Sequence, residues 1–374
     1  MKLNRVGLGA GVLLTAAALA ACSSSGSGGG GTSTTASNSG SSSSSSSGAC
    51  GSGNLSGEGS TAQTNAMTSW INGYTKKCPG TKINYNPTGS GAGVTSFTAG
   101  QVNFAGSDSP LDPTKGEPAA ASKTCGSTAI DLPMVVGPIA IGYKLSGVDK
   151  LVLTPDLLAK IFTGKITKWN DSAIAAKNSG AKLPSTAINV IFRSDASGTT
   201  QNFEKYLAAT DPTDFTATPA KDNAATVFKG QGKAKSQGVA AAIAATEGSI
   251  GYDEYSFAVS SSLSTAQIDS GAGPVTVDKT SASAAAGEAT VTGTGDDLTL
   301  KLNYKPTAAG AYPLILVTYE IACTKYKDAA IGKFVKSFLD YTANDGQAGL
   351  PALGYAPLPA ALQTKVNASI AKIS

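Results

Sequence analysis

From residue 54 onward, short apolar runs rich in β-formers alternate with helical patterns, and the turns between them are built from Gly, Ser and Thr. Such alternation confines a chain to an α/β architecture, because each helix must cover a sheet that the next strand extends. Ala62–Lys77 reads as a helix, with Met67, Trp70, Ile71 and Tyr74 on one face. It opens on Ser60-Thr61-Ala62-Gln63, a capping-box pattern. Lys82–Asn86 predicts a strand, Val94–Ala99 a helix and Val102–Ala105 a strand. Ser109-Pro110 then reads as an N-cap with Pro in the first helical position. Leu132–Lys144 is an almost unbroken apolar strand, and Val152–Thr163 an amphipathic helix. Ala187–Phe192 is a strand ending at Arg193, followed by a helix over Thr199–Leu207. A helix at Gly238–Ala245, strands at Ser249–Tyr252, Leu298–Tyr304 and Leu314–Tyr319, and a closing helix at Lys333–Thr342 complete the pattern. The expected sheet is mainly parallel. The 374 residues allow two or three domains, and no fixed-period repeat is present.

The chain has no histidine. That excludes Ser-His-Asp and Cys-His nucleophile pairs, His-ligated zinc and a histidine general base. The net charge of +4 includes Lys2 and Arg5, and is too weak for the dense basic stripe that a nucleic-acid partner requires. No metal and no cofactor are expected.

Residues 1–21 read as a secretory signal peptide: Lys2 and Arg5 precede the uncharged run Val6–Ala21. That run is short for a bilayer span, which takes about 20 residues. It ends Leu19-Ala20-Ala21-Cys22, which resembles the lipobox of bacterial lipoproteins and implies that Cys22 is lipidated and becomes the mature N-terminus. The alternative is an ordinary signal peptide that contains a cysteine. Residues 23–49 are almost wholly Ser, Gly, Thr and Ala and cannot build a core, so 22–53 reads as the lipidated cysteine and a disordered linker. A coil of this composition and length reaches roughly 30 Å. Cys50, Cys78, Cys125 and Cys323 remain, an even number in an exported chain, with three possible pairings. Cys50 precedes the first strand and Cys78 the second, at one end of a parallel sheet. This favours Cys50–Cys78 and Cys125–Cys323 over buried free thiols.

Three Gly/Ser/Thr segments each follow a strand and precede a helix: Gly57–Ala62 (GEGSTA), Thr88–Gly93 (TGSGAG) and Arg193–Thr199 (RSDASGT). Helix starts present unpaired N–H groups and the positive end of the macrodipole. Converging, three of them would form an oxyanion cage with little formal charge. Singly, each is equally an ordinary helix cap. Neither a complete G-x-G-x-x-G nor a P-loop is present; Gly164-Lys165 is followed by Ile166.

Taken with FAGSDSPL at 104–111, IFTGKITKWND at 161–171, RSDASGTT at 193–200 and GSIGYDEYSFA at 248–258, these segments resemble the phosphate-binding, Pst-type components of bacterial phosphate ABC transporters over roughly residues 54–374. The resemblance implies a two-lobed periplasmic-binding-protein fold of type II, with the ligand in the inter-lobe cleft and two crossing hinge strands. Lobe I would be 54–138 plus 314–374, and lobe II 139–313. It carries over the hydroxyl of Thr61, the backbone N–H of Ala62, the hydroxyl of Ser90, the carboxylate of Asp108, the guanidinium of Arg193, and Ser197, Gly198 and Thr199. Asp195 would orient Arg193. A carboxylate in an anion site repels its ligand unless the ligand brings a proton. Near neutral pH phosphate carries one or two and sulfate none, and a site built around a ligand OH rejects an analogue without it by as much as roughly 10⁴-fold. Outside the family, Asp108 reads equally as a surface residue before a cap, and Arg193 as one half of a surface pair with Asp195. The sequence departs from the family at Gly230–Gly238, where a Lys-containing stretch replaces an Asn-rich turn. This touches lobe closure and, on the expectation from sequence, none of the ligand residues. Residues 259–310 match weakly and carry no assignment.

The implied protein is a monomeric, lipid-anchored receptor on the extracytoplasmic face of the membrane. It binds inorganic phosphate without chemistry and delivers it to a two-subunit permease driven by a cytoplasmic ATPase. A receptor for another tetrahedral oxyanion, a phosphate-ester hydrolase and a surface adhesin on the same fold are the alternatives.

Overall fold

The computed structural model describes residues 50–374. The leader, Cys22 and the Ser/Gly stretch 23–49 lie outside the described residues. The principal strands, numbered in chain order, are β1 (Asn54–Gly59), β2 (Lys82–Pro87), β3 (Phe104–Ser107), β4 (Ala129–Lys144), β5 (Asn189–Arg193), β6 (Gln231–Lys233), β7 (Ser249–Glu254) and β8 (Ile315–Cys323). The principal helices are α1 (Thr64–Lys77), α2 (Ser90–Thr98), α3 (Glu117–Cys125), α4 (Pro155–Phe162), α5 (Gly198–Thr210), α6 (Lys235–Ala245) and α7 (Ala329–Ala343).

These strands run in the order β2-β1-β3-β8-β4-β7-β5-β6. At one end β1 pairs parallel with β2 and β3; at the other, β5 pairs parallel with β6 and β7. The expected mainly parallel sheet therefore holds only in these two blocks. The pairs β3–β8, β8–β4 and β4–β7 that join them are antiparallel. The cause is β4, whose uninterrupted apolar run makes it long enough to serve both blocks. Up to Pro138 it pairs with β8, and from Ile139 with β7. Two prolines without N–H donors punctuate it, and the β4–β8 register shifts beside Pro133, opposite Thr318/Tyr319.

Two large cores flank the partner change. One gathers α1, α7 and the first half of β4 around Trp70, Tyr74, Phe104, Phe334 and Phe338. As the helical spacing predicts, Met67, Trp70 and Tyr74 are buried, while Ile71 is partly so. The other gathers Phe162, Trp169, Phe203, Phe228 and Tyr252, with the Phe162 and Phe203 rings edge-on at 4.7 Å. Burying one such side chain stabilises by about 1.5–3 kcal/mol. The cysteines form Cys50–Cys78 and Cys125–Cys323.

Several local expectations change. Helix α1 starts at Thr64, and no capping box forms; the Ser60 hydroxyl accepts from the Ala62 N–H instead. Ser109-Pro110 starts no helix, since the chain stays irregular until a short turn at Pro113, and α3 begins at Glu117. Val152–Leu153 is a short strand pairing with Gln267–Ile268, and Pro155 starts the helix there. The strand expected over Leu298–Tyr304 shrinks to Leu300–Lys301, in a hairpin with Thr290–Val291. No helix among the described residues is long and apolar enough to cross a membrane.

Candidate functional site

Four strand ends converge where the two blocks meet. β1 delivers Ser60 and Thr61, the turn after β2 delivers Ser90, β3 is followed by Asp108, and β5 ends in Arg193. Asp108, Arg193 and the hydroxyls around them are buried. The Asp108 carboxylate accepts from four side chains. Ser60 and Thr318 (2.9 Å) donate to one oxygen, and Thr199 (3.1 Å) and, weakly, Ser90 (3.4 Å) to the other. Its backbone N–H donates to the Ser90 hydroxyl at 3.1 Å, and its carbonyl accepts from Asn202 at 2.6 Å. Thr199 and Asn202 belong to α5, so Asp108 ties the β5 block to the β1 block.

Arg193 is 2% exposed, so its charge must be answered locally. Asp195 does so in bidentate fashion, accepting from Nε at 2.8 Å and closely from a terminal nitrogen. The other terminal nitrogen donates to Ser236 at 3.3 Å. Burial works to lower the guanidinium pKa, but Asp195 outweighs it and the value rises. Asp195 is correspondingly held low, Arg193 overcoming the effect of burial. Burial raises the Asp108 carboxyl above its ordinary value, against the pull of Ser60, Thr318, Arg193 and Thr199. Behind Arg193, burial pushes Asp253 up to about 8, with Arg193 and Ser236 opposing.

A family model described as a PBP superfamily domain matches residues 44–345. The chain is 46% identical over 332 residues to the phosphate-binding protein PstS2 of Mycobacterium bovis, covering 87% of this chain and 88% of that one. It is 32% identical to the phosphate-binding protein PstS of Xylella fastidiosa, covering 84% of each. Among solved structures, it is similar to a high-affinity periplasmic phosphate-binding protein (PfluDING) bound with phosphate, with TM-score 0.69, 23% identity, and 84% and 93% of the two chains covered. This chain belongs to the PstS family. As in PstS-type two-lobed folds, the convergent strand ends lie between two α/β blocks.

Of the residues expected at a PstS site, the structure brings Ser90, Asp108 and Thr199 into one hydrogen-bonded group and Arg193 and Asp195 into a second, near enough for the Arg193 charge to act on Asp108. Gly198 belongs to the first by close approach: a Cβ there would lie 2.7 Å from the Asp108 Cβ. Thr61 lies on the Arg193 side, paired with Ser236 at 3.0 Å. The Ala62 N–H is engaged by Ser60 at 3.1 Å, and the Ser197 hydroxyl caps α5 by accepting from the Thr200 N–H at 3.2 Å. Gly198 and Thr199, first in the helix, have no intrahelical partner for their N–H groups.

Four buried participants were missed. Ser60 stands beside Thr61, and Asn202 one turn into α5. Thr318 is a polar residue in the otherwise apolar run LILVT, which is itself a signal. Ser236 corrects the expectation that the 230–238 stretch avoids the ligand residues, because it bonds both Arg193 and Thr61. Its signal was faint, because Ser236 and Gly238 sit inside the first turn of α6, which begins at Lys235.

Proposed function

We propose that this protein binds inorganic phosphate outside the cytoplasm and delivers it to an ABC permease. The observation that carries the reading is Asp108, a buried carboxylate ringed by hydroxyls and near enough to the buried Arg193 to be influenced by its charge. Hydroxyls and helix-start N–H groups donate to a bare oxyanion; a fixed carboxylate accepts only from a protonated one. In this reading the Ser90 and Thr199 hydroxyls turn from Asp108 to the ion, and Asp108 accepts the ion's own proton. Thr61, Ala62, Ser197 and Gly198 supply further donors, Arg193 supplies the charge, and Asp195 fixes its orientation.

The lobes are 54–138 plus 314–374, and 139–313, in keeping with the two cores and with the partner change of β4 at Ile139. The crossing strands β4 and β8 are the hinge. Cys22 anchors the protein by lipid at the membrane surface, the Ser/Gly stretch tethers it, and it works as a monomer with a permease and its ATPase. It performs no chemistry on the ion: a buried Arg–Asp pair and a ring of hydroxyls offer neither a histidine base nor an activated nucleophile.

Isothermal titration of the unmodified protein with phosphate and with sulfate tests this reading. Tight phosphate binding at one site, with sulfate silent, is expected. Arg193→Ala, which leaves the enclosed anion without its cation, is expected to weaken phosphate binding by at least about a hundredfold. Equal affinity for the two ions would sink the reading, and so would turnover of a generic phosphomonoester.

A further inference from the structure

The stretch left without an assignment by sequence forms a strap across the junction of the two blocks. Its hairpin is fastened to the β4–β8 side: Leu298 N–H donates to the Asp131 carbonyl at 3.0 Å, Asp297 accepts from the Asp131 N–H at 2.8 Å, and Leu300 N–H donates to the Tyr319 hydroxyl at 3.1 Å. At its far end the Tyr304 hydroxyl donates to Asn202 of α5 at 3.2 Å. Asn202 also holds the Asp108 carbonyl.

Under the strap lies a cavity of about 620 Å³. Asp108 and Asn202 line it together with Lys205, Lys301 and Lys305. Among the described residues, no carboxylate comes within 4.0 Å of these three ammonium groups. Burial and the neighbouring Lys221 hold the Lys205 pKa down, with Asp112 acting the other way. The inner cage offers an approaching anion little attraction at a distance: Asp195 cancels Arg193, and Asp108 is itself acidic. The three lysines supply the positive field that the cage lacks.

We propose that this cavity is an oxyanion antechamber, a weak cationic site for inorganic phosphate from which the ion enters the cage past Asn202 and Tyr304. The proposal rests on the reading of the cage as a phosphate site. Charges at a cleft mouth act on capture more than on retention. They are screened beyond a Debye length of about 10 Å at 0.1 M salt.

Stopped-flow phosphate binding tests this with the unmodified protein, the K205Q/K301Q/K305Q variant, the strap-only K301Q/K305Q variant and a K82Q control on β2. At low salt the association rate is expected to fall about three- to tenfold in the triple variant, less in the double variant and not in the control. Dissociation rates should stay unchanged, and the difference should vanish in high salt. An unchanged association rate with tight binding intact overturns the antechamber alone. So does a loss confined to faster dissociation, which would make the lysines part of retention. If the unmodified protein does not bind phosphate tightly, the cage reading and the antechamber fall together. If the triple variant does not fold, the double variant decides.

Discussion

Asp108 and Glu320 are buried carboxyl groups with opposite surroundings. Asp108 is surrounded by hydroxyl donors, whereas neither oxygen of Glu320 makes a well-formed hydrogen bond among the described residues and only the Gln63 side chain stands near it. A carboxylate that accepts the ligand's proton discriminates by hydrogen-bond direction. Asp108→Asn adds a donor where an acceptor stood, so phosphate affinity should fall roughly 10- to 100-fold, the worth of one charged hydrogen bond. Sulfate binding should at the same time become measurable by titration. Unchanged sulfate rejection would place selectivity elsewhere. Glu320 makes a different prediction. Burial pushes its carboxyl up to about 8, with Gln63 opposing and Asp108 adding to the rise. The folded state therefore holds this proton more tightly than the unfolded chain does. The resulting stability is complete below about pH 4.5, the ordinary Glu range, and is lost as pH rises through about 8. Glu320→Gln mimics the protonated form at every pH. Its melting temperature should exceed the parent's at pH 8.5 and converge with it towards pH 4.5. A pH-independent difference would mean that Glu320 does not titrate in this window.

The start of α5 shows how an element is positioned by what it lacks. A Cβ on Gly198 would sit 2.7 Å from the Asp108 Cβ and 2.8 Å from the Ser90 hydroxyl. Gly198→Ala should therefore keep α5 but lower the stability of the ligand-free protein by about 1–3 kcal/mol, and should weaken phosphate binding by at least about tenfold through a wedge between the blocks. Differential scanning with and without phosphate separates the two effects, and full ligand stabilisation in the variant would refute the wedge. The segment around Gly198 was legible because a strand, a small polar turn and a helix follow one another within a few residues. The turn before α6 carries the same signal less plainly. There Lys235 adopts a left-handed backbone at φ 65° and gives its N–H to Asp195 at 2.8 Å. That bend, unusual for a residue with a Cβ, brings Ser236 onto Arg193, and it follows from a tertiary contact that no local pattern encodes. The antiparallel centre of the sheet was hidden for a similar reason. Periodicity identifies β4 and β8 as strands, but their direction depends on a return through more than a hundred residues. The strap is held by a few hydrogen bonds to Asp131 and Tyr319; its strand spacing was legible over Leu298–Tyr304, but its place across the two blocks rests on those tertiary bonds.

At the scale of the molecule, the blocks are joined by β4 and β8 and drawn together by contacts across the cleft. Thr199 reaches Asp108, Ser236 reaches Thr61, and the Gly91 N–H donates to the Ala196 carbonyl at 3.0 Å. The first block is assembled from two stretches of chain with the whole second block inserted between them. Its coherence therefore depends on holding Leu55–Leu132 against the C-terminal stretch, which must be found again after every excursion to the unfolded state. The Cys125–Cys323 bridge joins these stretches across a sequence separation of 198, beside the buried Val94 and Phe97 of α2. Cys50–Cys78, at a separation of 28, only ties the chain just before β1 to the end of α1. In the chain-entropy account a cross-link restricts the unfolded state more as its loop lengthens, and loss of a native bridge costs about 2–5 kcal/mol. The Cys125→Ser/Cys323→Ser variant should thus lose more stability in urea than Cys50→Ser/Cys78→Ser. Neither bridge includes a cage residue, so both variants should still bind one phosphate while folded. Equal losses would mean that loop length does not govern these bridges. Loss of phosphate binding in a folded Cys125→Ser/Cys323→Ser variant would mean that the bridge, through α2, holds Ser90 in place.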